Sequence, residues 1–233
     1  MKDTIFKLQN VGVCYRKAAS LPWKNSRFWA LNDVSFSIYR GENLGVIGRN
    51  GAGKSTLLKI LAGILQPDTG LITRAKVNVA MQSLGAGFDP RLTGRQNIFL
   101  NGLLLGMELK SIQQRVEDII ELTDIGEFID EPINHYSNGM KSRLGFAIAY
   151  YVDTDVILID EALATGDQAF KNKATELIKE KIRRFYTVIL VTHSMALVRD
   201  LCDRVIQIED GCSLPELSTE QTINRYLDTQ KTK

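Results

Sequence analysis

Apolar residues fall in two rhythms along this chain. Ile5, Phe6, Leu8, Val11, Val13 and Tyr15, and then Leu31, Val34, Phe36 and Ile38, are interleaved with polar neighbours as in strands with one buried face. They predict a small antiparallel lobe with the first strand at its edge. Three shorter runs, Leu44–Ile47, Val156–Ile159 and Thr187–Thr192, are almost wholly apolar, the pattern of buried strands, and Val156–Ile159 reads as a central parallel one. Val77, Val79 and Met81 predict a further strand, and Asp203–Gly211 a last strand and turn.

Elsewhere the apolar positions recur every three or four residues, as on one face of a helix. Leu57, Ile60, Leu61, Ile64 and Leu65 form one such stripe, stopped by Pro67–Gly70. Thr93 is a cap, through Gln96, for a helix from Asn97 to about Met107; Ile112, Val116, Ile119 and Ile120 mark the next. Ser137 caps a helix with Met140, Leu144, Ile148 and Tyr151 inward. A basic helix from Lys171 to Arg184 turns Ala174, Leu177, Ile178 and Ile182 inward, and its charges read as a solvated face. The tail to Lys233 holds one short helix at most. Strands alternating with helices imply an α/β fold, and Leu84–Pro132, which begins within the glycine-rich connector Gln82–Pro90, interrupts that alternation as a helical lobe.

Composition narrows the function classes. The 233 residues suffice for one large α/β domain, and 29 basic against 27 acidic residues give a net charge of +2, too near balance to suggest nucleic acid as a partner. Cys14, Cys202 and Cys212 are scattered and read as reduced thiols of a cytosolic protein. No apolar stretch approaches the roughly 18 residues that a membrane span needs, and Met1–Thr4 leads into a strand and not a signal sequence. Arg16–Trp29 mixes basic residues with Leu21, Trp23, Phe28 and Trp29. It suits either a membrane interface or partner groove, or a loop folding its rings onto its own lobe.

The candidate chemistry centres on Gly48-Arg49-Asn50-Gly51-Ala52-Gly53-Lys54-Ser55-Thr56, a G-x-x-x-x-G-K-[ST] loop between a buried strand and a helix. Its glycines let backbone N–H groups close around a polyphosphate, with Lys54 on the β- and γ-phosphates and a hydroxyl of Ser55 or Thr56 on Mg²⁺. Asp160 and Glu161 end an apolar strand, where carboxylates meet bound ligands. Asp160 is placed to hold the Mg²⁺ shell, and Glu161 to orient or deprotonate a water. His193 follows another such strand and is placed to bond the γ-phosphate or that water. Ser137 and Gly139 open a helix as a second potential anion site. Tyr15 ends the first strand as either a base-stacking ring or a packed β tyrosine. The other histidine, His135, reads as structural.

Over essentially its whole length the chain resembles the nucleotide-binding subunit of an ATP-binding-cassette transporter. The resemblance implies a P-loop NTPase fold: a RecA-like core, an N-terminal antiparallel β lobe and an α-helical signature lobe at about residues 84–150, forming one domain over 1–233. It makes Gly48–Thr56, including Asn50, Gly51 and Gly53, the Walker A loop, Val156–Asp160 the Walker B strand and Glu161 the catalytic glutamate. Tyr136–Met140 becomes the signature, Asp167 the D-loop acid, His193 the switch histidine and Tyr15 the adenine-stacking aromatic. ATP and Mg²⁺ are the implied cofactors. A head-to-tail homodimer is implied as well, in which Ser137 and Gly139 of one copy meet the γ-phosphate held by the other.

A narrower resemblance, carried by Gly85–Asn97, Tyr136–Phe146 and Asp160–Asp167, is to exporters of capsular polysaccharide, O-antigen or teichoic acid. It implies an integral membrane permease of the ABC-2 type as partner and a peripheral place on the cytoplasmic face of the bacterial inner membrane. Met140 and Ala162 stand where importers and drug exporters carry a glutamine and a proline. The chain stops at Lys233, so the C-terminal carbohydrate-binding domain of some O-antigen exporters is not expected. Either Gln82, as a Mg²⁺ ligand, or Ser83 holds the Q-loop position. The rival readings are a soluble cassette ATPase working on DNA or ribosomes, for which Ser55 to Ser137 is too short to hold a long coiled coil, and an interaction subunit with a dead site, which the full set of Walker residues opposes.

Overall fold

The computed structural model describes residues 3–16, 27–82, 87–160, 168–183 and 187–231. In chain order these form β1 (Thr4–Arg16), β2 (Arg27–Tyr39), β3 (Asn43–Ile47), α1 (Lys54–Leu61), β4 (Thr69–Arg74) and β5 (Val79–Gln82). There follow α2 (Gly94–Leu104), α3 (Leu109–Thr123), two 3₁₀ turns, α4 (Asn138–Tyr150), β6 (Val156–Asp160), α5 (Gln168–Arg183) and β7 (Thr187–Val191). The chain ends in α6 (Met195–Leu201), β8 (Arg204–Glu209), β9 (Cys212–Ser213) and α7 (Thr219–Lys231). It divides into two compact units, Met1–Val79 with Asp155–Asp160 and Phe185–Lys233, and Ala80–Thr154 with Glu161–Arg184.

In the first unit the sheet runs β4-β1-β2-β9-β8-β3-β7-β6. The predicted buried strands are parallel neighbours: β3 pairs with both β7 and β8, and β7 with β6, the one read as central and parallel. β6 and β7 bury every residue but Asp160, because neither face of these strands meets water. β1 and β2 pair antiparallel as expected, but β1 is not an edge: β4 covers its other side, with Phe6 opposite Arg74 and Gly12 opposite Thr69. β4 shows no alternation because five of its six residues are exposed; it is held by the backbone of β1 and not by a buried face. β2 starts four residues before Leu31, so Phe28 and Trp29 are strand residues opposite Tyr15 and Cys14, both more than a third exposed. Residues 17–26 of the Arg16–Trp29 segment lie outside the described residues.

Two helix boundaries differ from expectation. α1 stops at Leu61 although its apolar spacing continues to Leu65. Gly63 takes φ +76°, its N–H donates to Ile60 O at 2.9 Å and Ile64 N–H donates to Lys59 O at 2.9 Å, a closing pattern that turns Ile64 out to solvent. The tail, read as a short helix at most, is the 13-residue α7. Ser218 caps it, accepting from Gln221 N–H at 3.3 Å while Gln221 Oε1 accepts from Ser218 N–H at 3.2 Å. Ile223 and Tyr226 are buried with Ile47, Val198 and Val205, so the chain's last helix packs beside the strand that leads into the phosphate loop.

The second unit is helical, around a core that includes Ile98, Ile112, Ile119, Leu144, Phe146, Ile148 and Phe170. α2 opens on the predicted cap: Thr93 Oγ1 accepts from Gln96 N–H at 3.2 Å and Gln96 Oε1 accepts from Thr93 N–H at 2.9 Å. Thr93→Ala removes this reciprocal pair and is expected to cost about 1 kcal/mol, read as a lower urea midpoint. Buried Asn97 ties the preceding turn to α2 by donating to the carbonyls of Asp89, Leu92 and Thr93 and accepting from Asp89 N–H. α4 buries Phe146 and Ala147 as well as Leu144 and Ile148, because α2, α3 and α5 all pack on it, so its inward face is wider than the stripe from Met140 to Tyr151. One charge of the basic helix leaves its solvated face. Lys181 donates to the carbonyls of Tyr150 and, at 3.1 Å, Val152 at the end of α4, and burial pushes its ammonium down to about 8.

Candidate functional site

Register brings three strand ends to one line. Val46 of β3 pairs with Val191 of β7, and Val191 with Asp160 of β6, so the residues that follow these strands leave from one carboxyl edge of the parallel sheet. Gly48, Asp160 and His193 each sit at or within two residues of that edge. The backbone needs glycine in the loop at two points. A Cβ on Gly48 would lie 2.3 Å from Ile208 O, and Gly53, at φ +104°, has Ala30 O at the same distance from where its Cβ would be. Both positions are pressed against neighbouring strands, which fixes the loop from below and leaves Asn50 and Gly51 exposed.

Lys54 begins α1 and is only 8% exposed. Its ammonium donates to the carbonyls of Gly48 at 2.7 Å and Arg49 at 2.9 Å, so the loop arches around the amine and the charge stays solvated by peptide groups. The next residue, Ser55, donates from Oγ to Asp160 Oδ2 at 3.1 Å. Two residues 105 positions apart therefore bring two hard oxygen donors together beside the loop, a donor set that suits Mg²⁺. Thr56 is half-buried on the same turn. His193 is exposed, and its Nδ1 lies 3.3 Å from the Tyr226 hydroxyl of α7. Tyr15, near the end of β1, is 38% exposed.

In the second unit Ser137 caps α4, accepting from Met140 N–H at 3.1 Å, and a Cβ on Gly139 would have Ser137 Oγ as its nearest neighbour at 3.6 Å. The start of α4 is thus exposed backbone with a hydroxyl beside it. Behind it, buried Tyr136 donates to Phe128 O at 2.6 Å, and its phenol is pushed up to about 12 by burial first and by Asp130 second. Gln82 is the last residue of β5. Ser83, Glu161 and Asp167 lie outside the described residues. Tyr226 was missed in the sequence because the tail looked polar. The Ser218-x-x-Gln221 cap followed by Ile223 and Tyr226 at helical spacing was the signal available.

A parallel sheet feeding a glycine loop and a helix through Lys54 and Ser55, with an acid from the next-but-one strand on the serine, defines a P-loop nucleotide-binding cassette. The chain belongs to the ABC transporter family, whose sequence profile matches residues 31–164. It is 44% identical to the O-antigen export system ATP-binding protein RfbB of Klebsiella pneumoniae over 97% of this chain and 89% of that one. Identity is also 44% to the ABC transporter protein AbcA of Aeromonas salmonicida, over 85% of this chain and 65% of that protein. It is 43% to the teichoic acids export ATP-binding protein TagH of Lactiplantibacillus plantarum, over 86% and 55%. In fold it is similar to the dimeric ATP-binding cassette MJ0796 bound to ADP and Pi, with a TM-score of 0.76 at 23% identity over 92% of this chain and 99% of that one. Among the described residues no helix is long and apolar enough to cross a membrane.

Proposed function

We propose that this chain is the ATP-hydrolysing subunit of an exporter of a cell-surface polysaccharide, of the O-antigen, capsule or teichoic acid class. The observation that carries this reading is the 44% identity to an O-antigen export ATP-binding protein along 97% of the chain. The Ser55–Asp160 pair supports a working ATP site within it. In this scheme the protein works at the cytoplasmic face of the inner membrane, as two copies bound to a membrane permease of the ABC-2 type that forms the polymer's path.

The loop N–H groups and Lys54 hold the β- and γ-phosphates, and Tyr15 stacks on the adenine. Magnesium, held by Ser55 with Asp160 and Gln82, would neutralise charge developing between the β- and γ-phosphates. Glu161 takes a proton from the attacking water, and His193 donates to the γ-phosphate. Ser137 and Gly139 of the second copy close on the same phosphate from the far side, with Asp167 at the dimer seam. Two ATPs then join the copies, and their hydrolysis lets them part.

Deleting the gene is expected to strip the cognate glycan from the cell surface while its precursor accumulates inside, with both restored by the wild-type gene. Unchanged surface glycan in the deletion strain rejects the export reading.

A further inference from the structure

The Tyr226 hydroxyl is the meeting point of three groups. It lies 3.3 Å from His193 Nδ1 and 3.5 Å from the carbonyl oxygen of Gly48, and Gln230 Nε2 donates to it at 2.7 Å. Tyr226 is 2% exposed and its ring is packed among Ile47, Val198, Val205 and Ile223, so the phenol oxygen is fixed in place. A phenol has one proton to give. Gly48 O already accepts from the Lys54 ammonium at 2.7 Å and stands at the outer limit of reach from Tyr226. His193 Nδ1 is therefore the better acceptor for that proton.

We infer that Tyr226 is a positioning residue that holds His193 in the tautomer protonated on Nε2, so that the C-terminal helix sets the donor used in the ATP site. When Nδ1 of a neutral imidazole accepts a hydrogen bond, the ring proton resides on Nε2, which becomes the donor on the opposite side of the ring. A phosphate oxygen needs a donor, and a bare nitrogen facing it would repel it. Tyr226 acts through the imidazole, as the outer partners of ligating histidines do. The inference rests on the proposed role of His193 at the γ-phosphate.

The test reads the ring directly, without ATP. The chain holds two histidines, so ¹⁵N-histidine labelling with a His135→Gln variant isolates the His193 signals. At a pH of about 8.5 an ordinary imidazole is neutral. The full chain is expected to show Nε2–H alone, and Tyr226→Phe, which keeps the buried ring, a mixture of both tautomers. Nδ1–H in the unaltered chain, or the same tautomer populations in both proteins, overturns the inference, and the first of these is decided even if the variant folds poorly. In the phosphate-release assay Tyr226→Phe is expected to lower kcat on the order of five-fold at unchanged KM, the worth of one hydrogen bond. A shifted tautomer with unchanged turnover would instead remove His193, and Tyr226 with it, from the ATP site.

Discussion

Replacing Lys54 with alanine is expected to abolish tight ATP binding, with affinity falling on the order of 10²- to 10⁴-fold. Lys54 is 8% exposed and its amine is already bonded to two loop carbonyls, so it is held in place before any nucleotide arrives. Charge-assisted hydrogen bonds are each worth about 1.5–3 kcal/mol, and one bond each to the β- and γ-phosphate gives about 3–6 kcal/mol. The fold should survive, because Gly53 still holds its turn against Ala30. A filter-binding titration checks the affinity, with a urea midpoint recorded on the same preparation. Undiminished ATP affinity in a folded Lys54→Ala protein removes Lys54 from the site.

The second large effect is expected at Glu161, which directly follows Asp160, the last residue of β6. Glu161→Gln keeps the size and polarity of the side chain and removes its ability to take a proton. General-base assistance is typically worth 10²-fold or more, so turnover should fall by at least that factor while ATP stays bound. Single-turnover phosphate release separates the two quantities. Near-wild-type turnover with unchanged ATP affinity excludes Glu161 as the base.

Much of this arrangement was legible along the chain because it is written locally. The Thr93–Gln96 cap, the loop from Gly48 to Thr56 and the buried runs of β3, β6 and β7 need no knowledge of what packs on them. β4 was not legible: its side chains face solvent and only backbone hydrogen bonds to β1 make it a strand. α4 misled for the opposite reason, since a helix packed on several sides has no single apolar stripe. The end of α1 turned on one glycine, Gly63, against the pull of Ile64 and Leu65.

In the candidate site, residue types were readable while their linkages were not. Nothing in the spacing of Ser55 and Asp160 announces that they are bonded, and register across β3, β7 and β6 is what brings them together. Tyr226 shows the same limit more sharply. It stands 33 residues from His193 and 178 from Gly48, and only the packing of α7 against Ile47 and Val205 makes them neighbours. A family resemblance carries the loop and the acids, but not a contact made by a tail helix.

In the proposed dimer the Ser137–Gly139 end of α4 completes the ATP site of a second copy. Sedimentation of the Glu161→Gln chain with saturating Mg·ATP tests it most directly, since this variant should hold the nucleotide without spending it. The mass of two chains is expected with ATP, and of one with ADP or after Lys54→Ala. A single chain at saturating ATP, in a preparation that binds the nucleotide, contradicts it.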